Sequence, residues 1–263
     1  MPLLQLPNLS NVVAGNTATL EIPVGSTYNK ITFNVAGVTN AQVSNIRVQV
    51  NGKTIQEYDD LDQLDAINAF YSRPQSGAYH TMWFERMELS EGWRRITGLG
   101  TLDVQTFTIL MDIDAAAAAP IITAMADKSV GTPLGLIMKL KKFPVTFAAS
   151  GEQDIDKIPR IGKITAMHFG KADVNNVVIK RDDVELIDAS KNDLAQENAF
   201  YGRVAQNNYT HVDFIRKGEL AEAMEVIEYA DGRRVQDLRA RLDLGSAGQV
   251  NMLIEYVDSF SGA

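Results

Sequence analysis

Short runs in which apolar and polar residues alternate recur along the whole chain. Alternation of this kind turns one side of an extended strand towards a core and the other towards solvent, so it predicts β-strands. Clear examples are residues 31–35, 46–50 and 177–181. The second run leads into Asn51-Gly52, a pair that favours a two-residue hairpin because both positions need positive φ.

Only a few stretches follow helical spacing. The first is an apolar series at roughly every third residue: Leu61, Leu64, Ile67 and Phe70. It stands behind the capping pair Asp59-Asp60 and predicts a short helix. Residues 194–200, capped by Ser190 or Asn192, and residues 219–230 predict two more. Many short strands, few helices and no regular strand–helix alternation indicate an antiparallel all-β fold.

One hexapeptide occurs twice, as Asn68-Ala69-Phe70-Tyr71-Ser72-Arg73 and as Asn198-Ala199-Phe200-Tyr201-Gly202-Arg203. The offset that carries Phe70 onto Phe200 also carries Phe84 onto Phe214 and Arg86 onto Arg216. An offset of about half the chain is the size of a whole domain. The repetition therefore predicts one domain duplicated in tandem.

The segment between the two copies differs in character. Residues 115–126 are rich in alanine, the best helix former, and follow Asp114, a good N-cap. Pro120 would kink this helix or begin a second one. We therefore expect a first domain at residues 1–125, a partly helical linker at 126–144 and a second domain at 145–263.

The repeated residues are the candidates for structural or assembly roles: Asn68, Phe70, Tyr71, Arg73, Arg86, Asn198, Phe200, Tyr201, Arg203 and Arg216. We expect both phenylalanines of the hexapeptide to be buried and both asparagines to bond the backbone near a helix end. The matched arginines should hold carboxylates or backbone carbonyls.

Composition narrows the possible partners. The net charge is −8 and the pI about 5.0, and an acidic surface repels nucleic-acid phosphates, so a specific nucleic-acid partner is not expected. The chain has no cysteine, which excludes disulfides and thiolate metal sites. No apolar run is long enough to cross a bilayer, and residues 1–7 lack a secretory signal pattern, so we expect folding in the cytosol.

Motifs for catalysis or cofactor binding are incomplete. Gly52-Lys53-Thr54 lacks the earlier glycine of a phosphate-binding loop, and His80, His168 and His211 have no second ligand at metal spacing. Carboxylates cluster at residues 59–65, 112–114 and 154–156 without the spacing of a known calcium loop. The chain is therefore predicted not to be an enzyme, to bind no organic cofactor and to have no catalytic residues.

Several motifs carry a resemblance to a known family. Residues 111–120 and 126–132, the ending 235–239 with 253–256, and the opening 14–16 with 22–25 are similar to the major capsid proteins of corticovirus-type phages. These are tailless icosahedral phages with an internal membrane. The similarity extends over nearly the whole chain and includes no catalytic residues.

The resemblance implies an all-β fold of two tandem eight-stranded jelly rolls, a double jelly roll, with short helices. It implies a virion capsid protein that forms homotrimers of pseudo-hexameric outline and contacts neighbouring capsomers and other virion proteins such as pentons. Contact with the internal membrane or its proteins, assembly in the host cytoplasm and bound structural calcium are also implied.

A second function class remains open, a tandem β-sandwich that binds carbohydrate or acts on glycans. Such proteins present exposed aromatic platforms or paired carboxylates in a cleft. Here aromatic residues make up 8% of the chain and the only tryptophans are Trp83 and Trp93. A stable trimer in solution would favour the capsid function, and a monomer the carbohydrate function.

Overall fold

The computed structural model describes residues 3–182 and 184–260. The chain forms two compact units, of which the first contains residues 3–141 with 259–260 and the second contains residues 142–258. Both units consist mainly of β-strands, as the alternating sequence pattern predicts.

The first unit is an antiparallel sandwich. Its strands are β1 Leu3–Gln5, β2 Thr17–Glu21, β3 Thr27–Ala36, β4 Val43–Val50, β5 Lys53–Asp60, β6 Tyr79–Trp83, β7 Leu99–Gly100, β8 Phe107–Ile113 and β9 Ile121–Ser129. One sheet has the order β1-β9-β3-β6, with β7 beside β3, and the other contains β2-β8-β4-β5. Tyr28 of β3 and Phe107 of β8 meet edge to face, with their ring centroids 5.3 Å apart, so the two sheets enclose a common core.

The second unit follows the same plan. Its strands are β10 Leu136–Phe147, which begins in the first unit, β11 Gly151–Ile155, β12 Lys163–Gly170, β13 Val174–Arg181, β14 Val184–Ser190, β15 Tyr209–Asp213, β16 Leu238–Leu244 and β17 Gly248–Ser259. One sheet has the order β11-β16-β13-β14, and β12 lies between β15 and β17 in the other.

Strand order establishes that the domain is duplicated. The sequence β2-β8-β4-β5 in the first unit becomes β11-β16-β13-β14 in the second, and β9-β3-β6 becomes β17-β12-β15. Even a β-bulge recurs, because the pairing shifts after Val48 in β4 and after Ile179 in β13, at the equivalent place in the two strands. A shared irregularity of this kind indicates a common ancestor for the two units, because bulges are inherited features of a fold.

Each unit carries one short α-helix at the corresponding place. Helix α1 spans Leu61–Phe70, and its N-cap Asp60 accepts a hydrogen bond from the Gln63 N–H. Helix α2 spans Lys191–Ala199, and its N-cap Ser190 accepts from the Asp193 N–H. Both follow the polar cap and precede a strand, as the sequence predicts.

The prediction of a partly helical linker is wrong. Residues 115–120 form turns and irregular backbone, and residues 121–129 form β9. Residues 136–147 form β10, most of which lies within the predicted linker. The short alanine run before Pro120 cannot nucleate an isolated helix, while β9 pairs with β3 along its whole length. Long-range strand pairing therefore overrides the local helix propensity of alanine.

The helix expected at residues 219–230 is also mostly absent. Only Leu220–Glu222 is helical there, as a single 3-10 turn. The segment is anchored in another way, since Met224 and Ile164 exchange both backbone hydrogen bonds. This pairing holds the segment against strand β12.

The hairpin at Asn51-Gly52 is confirmed. Both residues have positive φ, 48° and 76°, as a tight turn between β4 and β5 requires. The equivalent turn in the second unit places Asp182 at φ 52°. Among residues 3–182 and 184–260, no helix has the length and apolarity to cross a membrane.

A substitution at Gly37 tests the packing between the end of β3 and the alanine-rich turn. Its φ is +74°, and a Cβ added there would overlap the Ala119 carbonyl oxygen. Gly37→Ala should lower the free energy of unfolding by more than the ~1–2 kcal/mol that positive φ alone costs a non-glycine residue. Gly52→Ala is the matched control, because Gly52 has φ +76° and open space around it. Equal losses in urea unfolding would contradict the close approach.

Candidate functional site

The repeated hexapeptide closes the helix of each unit with the same hydrogen bonds. The Arg73 N–H donates to the Asn68 carbonyl at 2.9 Å, and the Arg203 N–H donates to the Asn198 carbonyl at 3.1 Å. The Asn68 amide donates to the Thr81 carbonyl at 2.7 Å, and the Asn198 amide donates to the His211 carbonyl at 3.1 Å. Each asparagine is buried. It therefore fastens the helix end to the next strand.

In the first unit, the two arginines share one carboxylate around an aromatic ring. Arg73 donates to Glu88 at 2.9 Å, and Arg86 contacts the same Glu88 oxygen. Their guanidinium carbons lie 4.6 Å and 4.5 Å from the centre of the Tyr71 ring. All four side chains are buried, so this cluster is charge-assisted and shielded from solvent.

In the second unit, the matching arginines have separate partners. Arg203 donates to the buried Asp213 at 2.8 Å, while Arg216 is partly exposed and donates to Glu197 at 3.1 Å. The offset between the two hexapeptides carries Glu88 onto Gly218. Loss of this shared carboxylate explains why the two arginines separate.

The expectation that both repeated phenylalanines are buried is wrong for the second copy. Phe70 is 0% exposed and stacks edge to face on Tyr71, with the ring centroids 4.9 Å apart. Phe200 is 73% exposed, and its neighbours Tyr201 and Val204 are 37% and 51% exposed. Burial therefore depends on the surroundings of the hexapeptide, which differ between the units, and not on the hexapeptide itself.

A buried polar triad lies beside the second hexapeptide, and the sequence spacing does not reveal it. Antiparallel pairing places His168 of β12 opposite His211 of β15, with their Nδ1 atoms 2.8 Å apart. His168 Nε2 lies 3.2 Å from a Glu255 oxygen, and all three residues are buried. Only the strand register brings these residues together, so local sequence motifs gave no signal.

Burial, together with the neighbouring His168 and Lys191, holds the pKa of His211 well below 6.5, and the Glu255 carboxylate opposes this shift. His211 is therefore neutral in the folded chain. Its ring also stacks on Tyr209, with centroids 5.5 Å apart. Protonation would place a charge in this enclosed site, which is unfavourable.

The first unit contains an open cavity of about 580 Å³, lined by Lys30, Trp83, Glu85, Met87, Glu91, Gly92, Arg94, Arg95 and Asp127. Burial and the nearby Asp127 raise the pKa of Glu85, while Arg95 and other cations oppose the shift. Within the part of the chain that the structure describes, this lining holds no cysteine, serine or histidine nucleophile. The lining does hold three carboxylates, Glu85, Glu91 and Asp127, beside Lys30 and two arginines.

The carboxylate clusters have structural partners. Asp60 caps α1, Asp112 accepts from Thr17 and Asn45, and Asp154 pairs with Arg241. Over residues 3–182 and 184–260, no group of three or more His, Asp or Glu side chains is arranged to hold a metal ion. Calcium binding stays a prediction, without a ligand set.

Truncating the two repeated phenylalanines should have unequal effects. Phe70→Ala leaves a cavity in the core and should lower the free energy of unfolding by about 3–5 kcal/mol. Phe200→Ala removes a largely exposed ring and should change the stability of the dissociated chain by about 0.5 kcal/mol or less. Urea unfolding measures both, and a large loss for Phe200→Ala would contradict the exposed position.

The neutral state of His211 predicts acid sensitivity. Its pKa is lower in the folded chain than in the unfolded chain, so the unfolded state binds a proton first as pH falls below about 6.5. Stability should decrease with falling pH by up to about 1.4 kcal/mol per pH unit from this group. His211→Asn should flatten the stability profile between about pH 6.5 and 5, a range above the titration of ordinary carboxylates. An unchanged slope would contradict the prediction.

Comparisons with known proteins agree with this architecture. The family model for the viral coat protein P2 N-terminal domain matches residues 3–130, and the model for the viral coat protein P2 C-terminal domain matches residues 137–260. The major capsid protein P2 of Pseudoalteromonas phage PM2 is 31% identical, over 98% of this chain and 97% of the relative.

Solved structures show the same fold. The crystal structure of the PM2 major capsid protein P2 matches with a TM-score of 0.92 at 29% identity, covering 98% and 97% of the two chains. The STIV MCP matches with a TM-score of 0.70 at 13% identity, covering 98% and 97%. The PBCV-1 virus capsid matches at 0.65 and 9% identity, covering 97% and 92%. The fold is the double jelly roll, and the chain belongs to the viral coat protein P2 family.

Proposed function

We propose that this chain is the major capsid protein of a virion and forms its shell as trimers of pseudo-hexameric outline. The main support is that both domains match the P2 coat protein family, together with 31% identity to the PM2 major capsid protein across 98% of the chain. The chain's role is structural.

The duplication gives this proposal its physical basis. Two similar units per chain mean that three chains present six similar units around one axis, and a hexagonal tile can contact six neighbours in a shell. Threefold symmetry requires only one type of subunit interface, repeated until the ring closes. A single unit per chain would need six copies to make the same outline.

Buried ion pairs hold the hexapeptide loops of both units in place, which suits a subunit of a capsid shell. The arginine cluster around Tyr71 and the Arg203–Asp213 pair use buried side chains to fix the hexapeptide loops. Breaking a buried pair by removing one partner is costly, so these contacts favour one loop conformation. The exposed Phe200, Tyr201 and Val204 leave an apolar surface beside the second loop, as expected where another protein binds.

The carbohydrate alternative has little support. The cavity of the first unit contains one tryptophan ring, Trp83, which is 9% exposed and has the Lys30 ammonium 4.6 Å from its centre. A sugar platform needs an exposed aromatic face. Trp93 is 44% exposed but does not line this cavity.

The remaining partners follow from the family resemblance. We propose contacts with neighbouring capsomers and with vertex proteins such as pentons, a shell that surrounds an internal membrane, assembly in the host cytoplasm, and calcium as a structural ion. Lipid analysis of purified particles tests the membrane, and metal analysis of extensively dialysed trimers tests the calcium.

The purified chain should be a trimer. Light scattering after size exclusion should give three times the chain mass of 28.9 kDa at micromolar concentration. The interface should exceed the roughly 2,000 Å² at which permanent interfaces begin, so the trimer should persist at micromolar concentration. A stable, fully folded monomer at micromolar concentration would rule out the proposal.

A further inference from the structure

The outer edge of strand β14 in the second unit is open. β14 ends the sheet order β11-β16-β13-β14, and among the described residues only β13 pairs with it. Two of its apolar side chains, Val184 and Leu186, are 57% and 37% exposed. Proteins usually protect such edges, because unpaired backbone groups and apolar side chains recruit another strand.

The equivalent edge in the first unit is covered. Strand β5 corresponds to β14, and the first residues of β10 lie beside β5 in parallel, with Leu140 opposite Gln56. The Gln56 amide donates to the Met138 carbonyl at 3.2 Å. The Lys141 ammonium donates to the Thr54 carbonyl at 2.5 Å. A strand from the same chain thus covers this edge around Gln56.

The shared β-bulge fixes which residues correspond. Val48 pairs with Gln56 just before the bulge in the first unit, and Ile179 pairs with Ile187 just before it in the second. Gln56 therefore corresponds to Ile187, and its neighbour Ile55 corresponds to Leu186. Ile55 is 0% exposed, whereas Leu186 is 37% exposed. The second edge is exposed at the positions where the first is covered.

The counterpart of β10 in the first repeat is β1. β10 directly precedes β11 in the chain, as β1 directly precedes β2. Their sequences also correspond, since Leu3 and Pro7 recur at the same spacing as Leu140 and Pro144, with an apolar residue before each proline. Strand β1 also ends its sheet. Its Leu3 and Leu4 are 60% and 47% exposed.

We propose that strand β1 of a second copy of this chain pairs in parallel with the open edge of β14, with Leu3 opposite Ile187. The pairing would repeat between chains the contact that Leu140 and Gln56 make within the first unit. Among the residues that the structure describes, each of these edges lacks a second partner strand within its own unit, so each can pair with another copy.

The side chains at these two edges differ from those that meet in the first unit. In the first unit the covering strand carries Lys141, which also pairs with Glu57 at 3.4 Å. At the position matching Lys141, β1 carries Leu4, which in this register lies opposite Asp188 and diagonally beside Leu186 on the same face of the sheet. The contact between copies would thus pack Leu4 against Leu186 and pair backbone groups, the features of recognition by strand addition.

The number of open edges also fits the proposed trimer. Each chain supplies one β1 and one β14, so the contact runs head to tail and both surfaces are used once per subunit. Such heterologous contacts close into a ring when the rotation allows it. This inference rests on the proposed trimer and identifies one of its contacts.

Disulfide cross-linking tests the pairing directly, because the natural chain has no cysteine. A Leu3→Cys chain and an Ile187→Cys chain, carrying different tags, are co-expressed and purified as a mixed assembly. Adjacent strands lie about 4.8 Å apart, within the Cα range of about 4.4–6.8 Å that a disulfide spans. Ile121→Cys with Ile187→Cys is the control pair, since Ile121 is 60% exposed and lies six residues along β9 from Asp127, the partner of Leu3.

Oxidation should yield a dimer carrying both tags from the Leu3→Cys and Ile187→Cys mixture, and none from the control pair or from either variant alone. The chain with both substitutions should give linked species up to the trimer. If the protein is trimeric and this pair links no better than the control pair, the strand pairing is wrong while the proposed trimer stands. If the natural chain is monomeric, the proposed trimer and the pairing are both wrong.

A charge introduced at the open edge of β14 provides a second test. Leu186→Lys would bury a charge against β1 of the neighbouring copy and should raise the dissociation constant of the trimer about tenfold or more. Ile121→Lys should leave it unchanged. Thermal unfolding of the dissociated chains should be the same for both variants, because both side chains are exposed in the single chain. Unchanged trimer affinity for Leu186→Lys would overturn the pairing.

Discussion

Backbone hydrogen bonding at strand edges is the constraint on which this molecule depends. Each unit is a sandwich of two sheets, and each sheet ends in strands whose outer N–H and C=O groups need partners. In the first unit β10 covers the edge of β5. In the second, the corresponding β14 has no such strand among the described residues. Among the described residues, a chain of two similar units therefore leaves one copy of this contact unmade.

The two hexapeptides show how a duplicated element diverges. The bonds from Asn68 and Asn198 to the next strand are the same in both units, because each asparagine is enclosed and an unpaired amide would be costly. The charged partners differ: Glu88 joins two arginines in the first unit, and Gly218 at that position leaves Arg203 to pair with Asp213. The backbone anchor is thus the same in the two units, while the loop that surrounds it has changed.

The sequence predicts features that depend on local pattern or on repetition. The strands, the Asn51-Gly52 hairpin, α1 and α2 follow from alternation, turn residues and caps. The duplication follows from the constant offset that relates Phe70 to Phe200. The alanine-rich segment was mispredicted because its conformation is set by pairing with β3, far away in the chain. The contact between His168 and His211 depends on strand register, and the exposure of Phe200 depends on surrounding loops, so neither is visible in a local motif.

Because the buried triad lies in the second unit, a fall in pH should lower the stability of that unit in particular. His211 lies on β15, and its carbonyl accepts the bond from Asn198 that holds the end of α2. A proton taken up by the ring would be disfavoured by burial and by the neighbouring His168 and Lys191, against the attraction of Glu255. Strand β15, which contains His211, also anchors the exposed Phe200 loop. Acid should therefore loosen the loop at the end of α2 before it affects the hexapeptide of the first unit, where Thr81 occupies the position of His211.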